Sequence, residues 1–529
     1  MECALIMILI TSASYVNKDF QIEIGKLPPS FLPLGNKRLY MFQIDFLKKH
    51  FPKREIFISL PNTYTLNLRD QMYLKKFKVN LIFIKENLSL GRSVNECIIN
   101  MSKKIQSRKL IILHGDTLIK KIPKGDDLVA VSNTSIDYVW EIQNKVNNLN
   151  NVWCGFFSFS DKKLLSKSLK VSKYDFIEGV KQYSNYKKIV FKQISGWFDL
   201  GHLQTYFLTR SNFLISRKFN EMKINNGYVE KTSNNLKKIK AEIFWYNNFP
   251  LNLKKYIPNM IYHQSSKENS FYRLEFLPVM PLNEIYVNCS KTSIFWKKIF
   301  TLCKNILSEF RHEIIISKDE KMKIKSNFEK LIFDDLNKRV KSFRKNSKLN
   351  FDLPVSINNF DLPSLNTIIF KCQNIIKKSK NNPSIIHGDF CLSNIFYDNR
   401  SENIKLIDPR GIDASNNFTV FGDQKYDISK FTHSIIGFYD HILSESYFLE
   451  YNNQMKFKFD VIIDENTLLI SKLYKKIFFN NKEYKYKQIL ALTILLFFRI
   501  LDLHSDDKKR QIAFIANALR LYKVLISTK

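Results

Sequence analysis

One segment of the chain constrains the fold more than any other. It reads Ser-Ile-Ile-His-Gly-Asp-Phe-Cys-Leu-Ser-Asn at 384–394 and continues as Ile-Lys-Leu-Ile-Asp-Pro-Arg-Gly at 404–411. Apolar runs within and beside it predict short buried strands that hold a loop between them. The segment presents Asp389, Asn394 and Asp408 in that order. Phosphoryl transfer needs a carboxylate for the hydroxyl proton, and an amide oxygen and a second carboxylate for a metal ion, so this order indicates a kinase-like phosphotransferase.

The pattern HGDxxxxN followed by Ile-Asp-Pro resembles the aminoglycoside phosphotransferase and choline kinase group, relatives of the protein kinases. The resemblance implies a two-lobed α+β domain that uses ATP and Mg²⁺. It implies that Asp389 is the catalytic base and that Asn394 and Asp408 bind Mg²⁺. It also implies that His387 braces the loop and that Asp427 is structural. The alternative is a chance tripeptide in a hairpin, and the agreement of three spaced elements argues against it.

A kinase of this kind also needs a strand lysine for the ATP phosphates and a helix glutamate that holds the lysine. The segment Gly-Tyr-Val-Glu-Lys-Thr-Ser predicts a turn and a strand that carries Lys231. The next segment has helical character and carries Glu242. Lys238 and Lys240 are alternatives for the lysine. There is no GxGxxG loop, which the aminoglycoside kinases also keep poorly.

The first two hundred or so residues alternate apolar runs with helical stretches, which predicts an open parallel sheet with helices on both faces. Ligands bind such sheets at the carboxyl ends of the strands. Asp116 directly follows one run, and Asp199 lies in Ser-Gly-Trp-Phe-Asp-Leu-Gly. Two aspartates in one crevice can hold Mg²⁺ against a nucleotide and a sugar phosphate. The apolar runs are 5–11, 55–60, 79–84 and 110–113.

Residues 1–205 resemble the sugar-phosphate nucleotidyltransferases, the pyrophosphorylases that make nucleotide sugars. The matching parts are the first strand and its loop, Leu-Pro-x-x-Phe-Leu-Pro-Leu-Gly-Asn-Lys-x-Leu, the Gly-Asp after a strand, Trp-Cys-Gly-Phe-Phe-Ser-Phe, and Trp-x-Asp-Leu-Gly. The resemblance implies a doubly wound, Rossmann-like α/β domain. It implies that Asp116 and Asp199 are metal ligands and that a second NTP, namely CTP, UTP or dTTP, donates the nucleotidyl group.

The first loop departs from that family, whose loop is Gly-rich, contains an arginine and is followed by a Pro-Lys pair. Here the loop reads Thr-Ser-Ala-Ser-Tyr, and Pro29 stands where the lysine would fall. Ser12, Ala13 and Ser14 are small enough for backbone amides to approach a triphosphate. Lys26, three residues upstream of the usual position, could supply the charge. Either the loop is rebuilt around the nucleotide, or this half binds without turnover.

Length and charge narrow the function classes. A chain of 529 residues is too long for one core and predicts two or three domains. Its formal net charge of +34 would suit a nucleic-acid-binding protein. Lys, Asn, Ile and Phe are abundant throughout, however, and no basic stripe with interleaved aromatics stands out, so we expect no nucleic-acid partner. The densest basic run, 338–348, is expected to be a loop between helices. The charge would still attract phosphorylated substrates or an anionic membrane surface.

Cysteine usage and hydropathy bear on the compartment. The seven cysteines form no CxxC pair, which argues against a zinc site and a disulfide framework and fits a reducing cytoplasm. The apolar start, 4–10, lacks a basic leader and predicts a buried strand rather than a signal peptide. No run reaches the length of a membrane helix. The run 489–501 is interrupted by Arg499 and predicts a core helix.

The predicted domains are a nucleotidyltransferase-like domain at 1–205, a linker at 206–216, a kinase-like N-lobe at 217–290 and a C-lobe at 291–529. The combined prediction is a cytoplasmic bifunctional enzyme. The kinase phosphorylates a sugar, polyol or amino-alcohol hydroxyl, and the first domain couples that phosphate to an NTP with loss of pyrophosphate. The product class of one fold is the substrate class of the other, which suggests the supply of activated units for capsule or lipopolysaccharide synthesis.

Two alternatives stay open. The first keeps the enzyme class and takes choline or ethanolamine as the acceptor and CTP as the nucleotide. The second makes the N-terminal half a non-catalytic, nucleotide-sensing module beside one working kinase. The acceptor pocket is expected among C-lobe helices, within 293–377 and 413–464. The sequence does not specify the oligomeric state.

Overall fold

A computed structural model describes most of the chain. The described residues are 6–103, 107–134, 142–146, 149–214, 222–225, 227–266, 269–313, 316–347, 349–452, 454–480 and 484–528. The chain divides into two units, residues 1–214 with 288–290 and residues 215–287 with 291–529.

The first unit alternates strands and helices. Its strands are β1 (Ile6–Thr11), β2 (Pro33–Leu34), β3 (Lys37–Arg38), β4 (Glu55–Pro61), β5 (Asn80–Ile84), β6 (Lys109–His114), β7 (Thr117–Ile119), β8 (Leu128–Thr134), β9 (Ile142–Val146), β10 (Leu149–Phe159), β11 (Val190–Gln193) and β12 (Trp197–Asp199). Its helices are α1 (Lys18–Ile24), α2 (Leu39–His50), α3 (Leu68–Lys76), α4 (Leu90–Ser102), α5 (Lys162–Val171), α6 (Phe176–Ser184) and α7 (Leu203–Leu214), with a 3₁₀ turn at Pro29–Phe31.

An eight-stranded sheet forms the centre of this unit, in the order β11-β8-β10-β6-β1-β4-β5 with β9 paired to β10. The strands β5, β4, β1 and β6 are parallel, as predicted. The strand β10 runs antiparallel to both β6 and β8. A parallel neighbour needs a crossover connection, usually a helix. The described residues between β8 and β10 form strand β9 instead, so β10 returns in the opposite direction.

Alternate side chains of the central strand enter two different cores, because successive residues of a strand point to opposite faces. Met7 and Leu9 pack in a core to which α4, α5 and α6 contribute. Ile8 and Ile10 pack in a second core with side chains of α2 and α3. The sheet therefore has helices on both faces, which confirms the predicted doubly wound α/β class.

The predicted linker, 206–216, overlaps the helix α7. Tyr206 is fully buried, its hydroxyl donates to the carbonyl of Pro33, and its ring lies 5.3 Å from that of Phe20. This burial ties 206–214 to the first unit as a packed helix, so the linker prediction is wrong over those residues. Residues 215 and 216 lie outside the described part of the chain, and the other domain limits stay predictions.

The second unit begins with a small sheet and continues mainly as helices. Its strands are β13 (Met222–Asn225), β14 (Tyr228–Thr232), β15 (Met260–Ser265), β16 (Ser270–Glu275), β17 (Met280–Pro281), β18 (Val355–Ile357), β19 (Phe360–Leu362), β20 (Pro383–Ile385), β21 (Ile395–Asp398), β22 (Asn403–Leu406), β23 (Phe421–Asp423), β24 (Tyr447–Tyr451) and β25 (Lys456–Val461). Its helices are α8 (Leu236–Asn248), α9 (Leu282–Asn288), α10 (Ser293–His312), α11 (Lys318–Lys330), α12 (Leu336–Asn346), α13 (Leu365–Lys377), α14 (Lys425–Ile435), α15 (Tyr439–Leu443), α16 (Glu465–Phe479), α17 (Tyr486–Arg499) and α18 (Lys508–Ser527). Short helical turns lie at Leu251–Tyr256, Leu331–Asp335, Leu392–Asn394 and Asp502–His504.

This unit has the predicted two-lobed α+β organisation. The first lobe is an antiparallel sheet in the order β13-β14-β16-β15, against which α8 packs. The second lobe is built around α14, α17 and α18, and the hairpin of β21 and β22 lies in it. The helix α17 confirms the predicted core helix. No helix in the described segments is both long and apolar enough to cross a membrane.

The densest basic run is a helix, α12, so the prediction of a loop is wrong. Leu336, Val340 and Phe343 are buried at spacings of four and three residues, which places them on one face of a helix. The lysines and arginines between them lie on the other faces of the helix. Because they are so numerous, the sequence shows a basic run more clearly than the apolar periodicity.

A buried ion pair lies beneath the sheet of the first unit. Arg38 and Asp70 are 3% and 0% exposed, and their Nε and Oδ1 atoms are 3.2 Å apart. The hydroxyl of Tyr40 donates to the same oxygen at 2.8 Å. An exposed pair lies nearby in the sequence, with Lys37 Nζ 3.6 Å from Asp45 Oδ2.

We expect Asp70→Ala to lower the free energy of unfolding by about 3–5 kcal/mol, because it leaves the guanidinium of Arg38 buried without a carboxylate. Asp45→Ala removes a solvated pair and an exposed hydrogen bond from Tyr73, and should cost about 1 kcal/mol or less. Thermal and urea unfolding of both variants measure the difference. Equal losses of unfolding free energy in the two variants would show that burial does not determine how much an ion pair contributes to stability.

Candidate active sites

The loop with the HGD sequence lies between β20 and β21 and is closed by its own side chains. Asn394 Nδ2 donates to the carbonyl oxygen of Asp389 at 2.9 Å. The amide of Ile407 donates to the carbonyl of Asn394 at 3.0 Å, which ties the segment before Asp408 to this loop. The structure therefore brings the three predicted residues together.

Lys231 on β14 connects the two lobes of the second unit. Its Nζ lies 2.8 Å from Glu242 Oε2 on α8 and 2.9 Å from Asp408 Oδ1 just after β22. Lys231 is 2% exposed and Glu242 is fully buried, and the hydroxyl of Tyr272 donates to Glu242 at 2.6 Å. The predicted lysine and glutamate thus form the expected pair. Of the alternatives, Lys238 approaches the other oxygen of Glu242 at 3.7 Å from an exposed position.

Charge on Lys231 survives burial because of its partners. Burial disfavours the ammonium, but the carboxylates of Asp408 and Glu242 outweigh it and raise the pKa of Lys231. For Asp408, burial favours the neutral acid, but Lys231 outweighs it and lowers the pKa of Asp408. Both groups are therefore charged at neutral pH.

Asp427 on α14 anchors the backbone of the loop. Its two carboxylate oxygens accept the amide hydrogens of His387 at 2.7 Å and Gly388 at 2.8 Å, and the residue is fully buried. Gly388 has φ +76°, and a Cβ there would lie 2.5 Å from the Cβ of Arg410. The loop therefore needs both the aspartate and the glycine, which agrees with a structural role for Asp427.

His387 braces the loop from below. It is 1% exposed, its Nδ1 accepts the amide hydrogen of Asp389 at 3.3 Å, and the ring of Trp245 lies edge-on at 5.7 Å. Burial lowers the pKa of His387 to about 4. A neutral, enclosed ring of this kind positions the backbone of Asp389.

Lys430 was missed by the sequence reasoning. Its Nζ lies 2.7 Å from Asp389 Oδ1, and its side chain is 14% exposed. Burial disfavours the charge on Asp389, but Lys430 outweighs it and lowers the pKa of Asp389 to about 2. A signal was present, since Lys430 follows Asp427 by three residues on α14 and so shares its face of the helix.

A cavity of about 590 Å³ opens beside the loop with the HGD sequence. Its walls include α11, with Asn327 and Phe328, and the segment that contains Arg410, Phe418 and Tyr426. Polar groups in a pocket of this size can fix the orientation of a small ligand. The cavity touches both sequence ranges in which the acceptor pocket was expected.

In the first unit, Asp116 and Asp199 converge. Asp199 ends β12, which pairs with β7 directly after Asp116, and the amide of Leu200 donates to the carbonyl of Asp116 at 2.9 Å. A Cβ on Gly201 would lie 2.6 Å from Asp116 Oδ2 and 3.3 Å from Asp199 Oδ1, so these two oxygens are within about 6 Å of each other. The predicted pair of carboxylates therefore shares one crevice.

The pair suits a divalent cation. Burial and the charge of Asp199 raise the pKa of Asp116 to about 6, and a bound cation would relieve that repulsion. Asp199 is oriented by His202 Nδ1 at 2.7 Å and by the hydroxyl of Thr205 at 2.6 Å. Among the residues that the structure describes, no three His, Cys, Asp or Glu side chains form a metal site. Mg²⁺ commonly takes one or two carboxylates and completes its shell with substrate phosphates and water, so two aspartates are sufficient.

Gln43 on α2 fixes the turn that carries Asp116. Its Nε2 lies 3.0, 3.2 and 2.9 Å from the carbonyl oxygens of His114, Gly115 and Thr117. Gln43 is fully buried. The sequence reasoning did not single it out, because a glutamine inside a helix carries no motif.

The rebuilt first loop is held by hydroxyl groups. The amide of Ser12 donates to Ser59 Oγ at 3.0 Å, and Ser12 Oγ accepts the amide hydrogen of Ser30 at 3.0 Å. Ser12 is 1% exposed. Its backbone amide is therefore already used inside the protein, whereas Ala13 is half-buried and Ser14 is exposed.

Lys26 lies beside this loop, as the charge argument requires. Its Nζ is 4.0 Å from the centre of the Tyr15 ring and 3.6 Å from Glu86 Oε2. Its side chain is 55% exposed. The ammonium can therefore move toward an anion at little cost.

No protein-family model and no curated protein matches the chain. Similar solved structures include a nucleoside-diphosphate-sugar pyrophosphorylase from Vibrio cholerae RC9, at 11% identity over 38% of this chain and 97% of that one, TM-score 0.30. They also include a choline kinase from Streptococcus pneumoniae (12% identity, 61% and 98%, TM-score 0.32). A third is a choline/ethanolamine kinase family protein from Mesorhizobium loti (7% identity, 59% and 87%, TM-score 0.34). These proteins belong to the two classes that the motifs resemble. At such TM-scores the likeness adds no argument about function.

We expect the buried His387 to make the second unit less stable in acid. Its pKa in the folded state, about 4, lies below the value of about 6.5 for an unfolded chain. The unfolded state therefore binds the proton first, and the contribution is complete above pH 6.5 and declines as the pH falls toward 4. Between pH 7 and pH 5 the loss is about 2 kcal/mol.

Thermal unfolding of the protein and of His387→Asn at pH 7 and pH 5 measures this effect. The variant should lose less stability on acidification than the unaltered protein. His312→Asn changes an exposed histidine on α10 and should leave the pH dependence as it was. An unchanged pH dependence in His387→Asn would contradict the expectation.

Proposed function

We propose that the chain is a bifunctional transferase. The second unit transfers a phosphoryl group from ATP to a hydroxyl of a sugar or polyol. The first unit joins the resulting phosphate to the nucleotide of CTP, UTP or dTTP and releases pyrophosphate. The observation that carries the proposal is the double ion pair of Lys231 with Glu242 and Asp408, beside a loop that presents Asp389.

In the kinase reaction each of these residues has one task. Lys231 neutralises phosphate oxygens of ATP, and Glu242 holds it in place. Asp408 and Asn394 would hold Mg²⁺, which supplies positive charge to the phosphates. Asp389 takes the proton from the acceptor hydroxyl. The oxygen of that hydroxyl bonds to phosphorus, and the bond from phosphorus to the ADP oxygen breaks.

The proposed acceptor is a polyhydroxylated molecule, a sugar or polyol. The cavity of about 590 Å³ beside the loop has room for a sugar. Choline or ethanolamine would place an ammonium two carbons from the hydroxyl that reaches Asp389, and therefore close to the ammonium of Lys430. The ammonium of Lys430 would repel that charge and the carboxylate of Asp389 would attract it, so charge alone leaves the amino-alcohol alternative open.

In the first unit, Asp116 and Asp199 would hold Mg²⁺ against the nucleotide phosphates, and Lys26 would meet the triphosphate. An activated sugar or polyol is a donor for polysaccharide synthesis, so we propose a capsule or lipopolysaccharide pathway in the cytoplasm. One observation favours a second candidate for this unit, a nucleotide-sensing module without turnover. The amide of Ser12 is bonded to Ser59 and is not available to a phosphate.

We expect Asp389→Asn to reduce phosphoryl transfer to a panel of neutral sugars and polyols by about 10²–10⁴-fold, because the substrate proton loses its acceptor. Binding of ATP should change little. The assay follows ADP release, and Asp361→Asn, an exposed aspartate on β19, is the matched control. An active Asp389→Asn enzyme would remove the kinase assignment.

We expect the first unit to release pyrophosphate from one NTP when it is given the phosphorylated product, and Asp199→Asn to abolish that release. The reason is that the substitution removes one of the two carboxylates that would hold the cation and so weakens its binding. Pyrophosphate release by the full chain, with each NTP in turn, measures the reaction. Binding of an NTP without release of pyrophosphate would favour the sensing module. If the protein shows no NTP binding and no pyrophosphate release, both candidates are excluded.

A further inference from the structure

The contact between Lys430 and Asp389 has chemical consequences beyond the stability of the loop. The ammonium lies 2.7 Å from the carboxylate that is proposed to accept the substrate proton. Asp389 is the only carboxylate with which the described structure pairs it. Around it lie Tyr426 and Cys391, and His433 follows one helical turn later on α14. The pair is enclosed on one side, and 40% of the Asp389 side chain stays open to solvent.

The position of this ammonium relative to the reacting atoms follows from the chemistry. The acceptor hydroxyl has to lie within about 2.6–3.2 Å of the base. Its oxygen is the atom that bonds to phosphorus, so the oxygens of the transferred group come close to the same carboxylate. A cation that already contacts Asp389 is therefore within reach of those oxygens. Charge spreads over them during transfer, where a preorganised donor has its largest effect.

Lys231 cannot take this second task as well. Its ammonium is held between Glu242 and Asp408, at 2.8 and 2.9 Å. The loop itself offers no cation between Asp389 and Asn394, where the residues are Phe, Cys, Leu and Ser. Lys430 comes instead from α14, the helix that also carries Asp427 and so anchors the loop.

We propose that Lys430 is a catalytic residue of the kinase reaction, which pairs with Asp389 between turnovers and moves its hydrogen bonds to the transferred phosphoryl group during the reaction. The step is balanced. The acceptor gives its proton to Asp389, the new oxygen–phosphorus bond forms, the bond to ADP breaks, and ADP leaves with the electron pair. Lys430 remains protonated throughout. The inference rests on the proposed kinase function of the second unit.

The test needs no knowledge of the acceptor. The probe is ADP with Mg²⁺, with and without aluminium fluoride, which mimics a phosphoryl group in transfer. Calorimetric titration of the full chain gives the dissociation constant of ADP in both conditions. The tightening caused by aluminium fluoride reports on the groups that contact the phosphoryl mimic. Slow hydrolysis of ATP by water gives a second, kinetic readout.

For Lys430→Met, the dissociation constant of ADP alone should stay within threefold of that of the unaltered protein. The factor by which aluminium fluoride tightens ADP binding should fall by about 100-fold, in line with the removal of one preorganised donor. Lys430→Arg keeps the cation and should keep part of the tightening. Lys425→Met is the matched control, because Lys425 lies on the same helix, is 4% exposed at its side chain and is ion-paired to Asp423 at 2.9 Å. It should keep the full tightening.

The outcomes separate the inference from the function on which it rests. Tightening that persists in Lys430→Met overturns the role of Lys430 and leaves the kinase proposal in place. Equal losses in Lys430→Met and Lys425→Met also overturn it, since they indicate a structural effect on α14. If the unaltered protein gains nothing from aluminium fluoride, the kinase proposal itself fails. Loss in Lys430→Met alone supports the inference.

Discussion

The kinase-like unit depends on the buried charges around Lys231. Its ammonium is enclosed, so removal of either carboxylate would leave an uncompensated charge, and such losses are large compared with those of surface pairs. Glu242 comes from α8, Asp408 follows β22, and Lys231 itself lies on the sheet of the first lobe. One cation therefore joins the two lobes and holds Asp408 in place. The hydroxyl of Tyr272 adds a second contact to the Glu242 oxygen that meets Lys231.

The local parts of both sites were predictable, because their signals lie within a few residues. The strands around the loop were visible as apolar runs, and Lys231 and Glu242 were visible as a strand lysine followed by a helix glutamate. Lys430 was missed because its partner lies far away in the sequence and only the packing of α14 brings them together. Gln43 was missed for the same reason, since its three carbonyl partners belong to a different element.

Two predictions of secondary structure and domain limits were wrong for other physical reasons. The helix α12 was hidden because lysines and arginines outnumber its buried side chains, although Leu336, Val340 and Phe343 keep a helical spacing. The linker was placed inside α7 because the resemblance ends near residue 205. The packing of Tyr206 against Phe20 shows that the fold continues beyond the last recognisable motif. Burial, and not similarity to a family, sets that boundary.

The single amide of Gln43 has a consequence for how the first unit would meet a nucleotide. Three carbonyls that flank Asp116, those of His114, Gly115 and Thr117, are gathered by one buried side chain of α2, a helix that packs on the central sheet. The turn is thereby rigid before any ligand arrives, and little conformational entropy is left to lose on association. The side chain of Lys26, which is 55% exposed, can adjust to an anion more easily than this turn can. A ligand that binds beside Asp116 would therefore meet a preset turn and a more adaptable charged side chain.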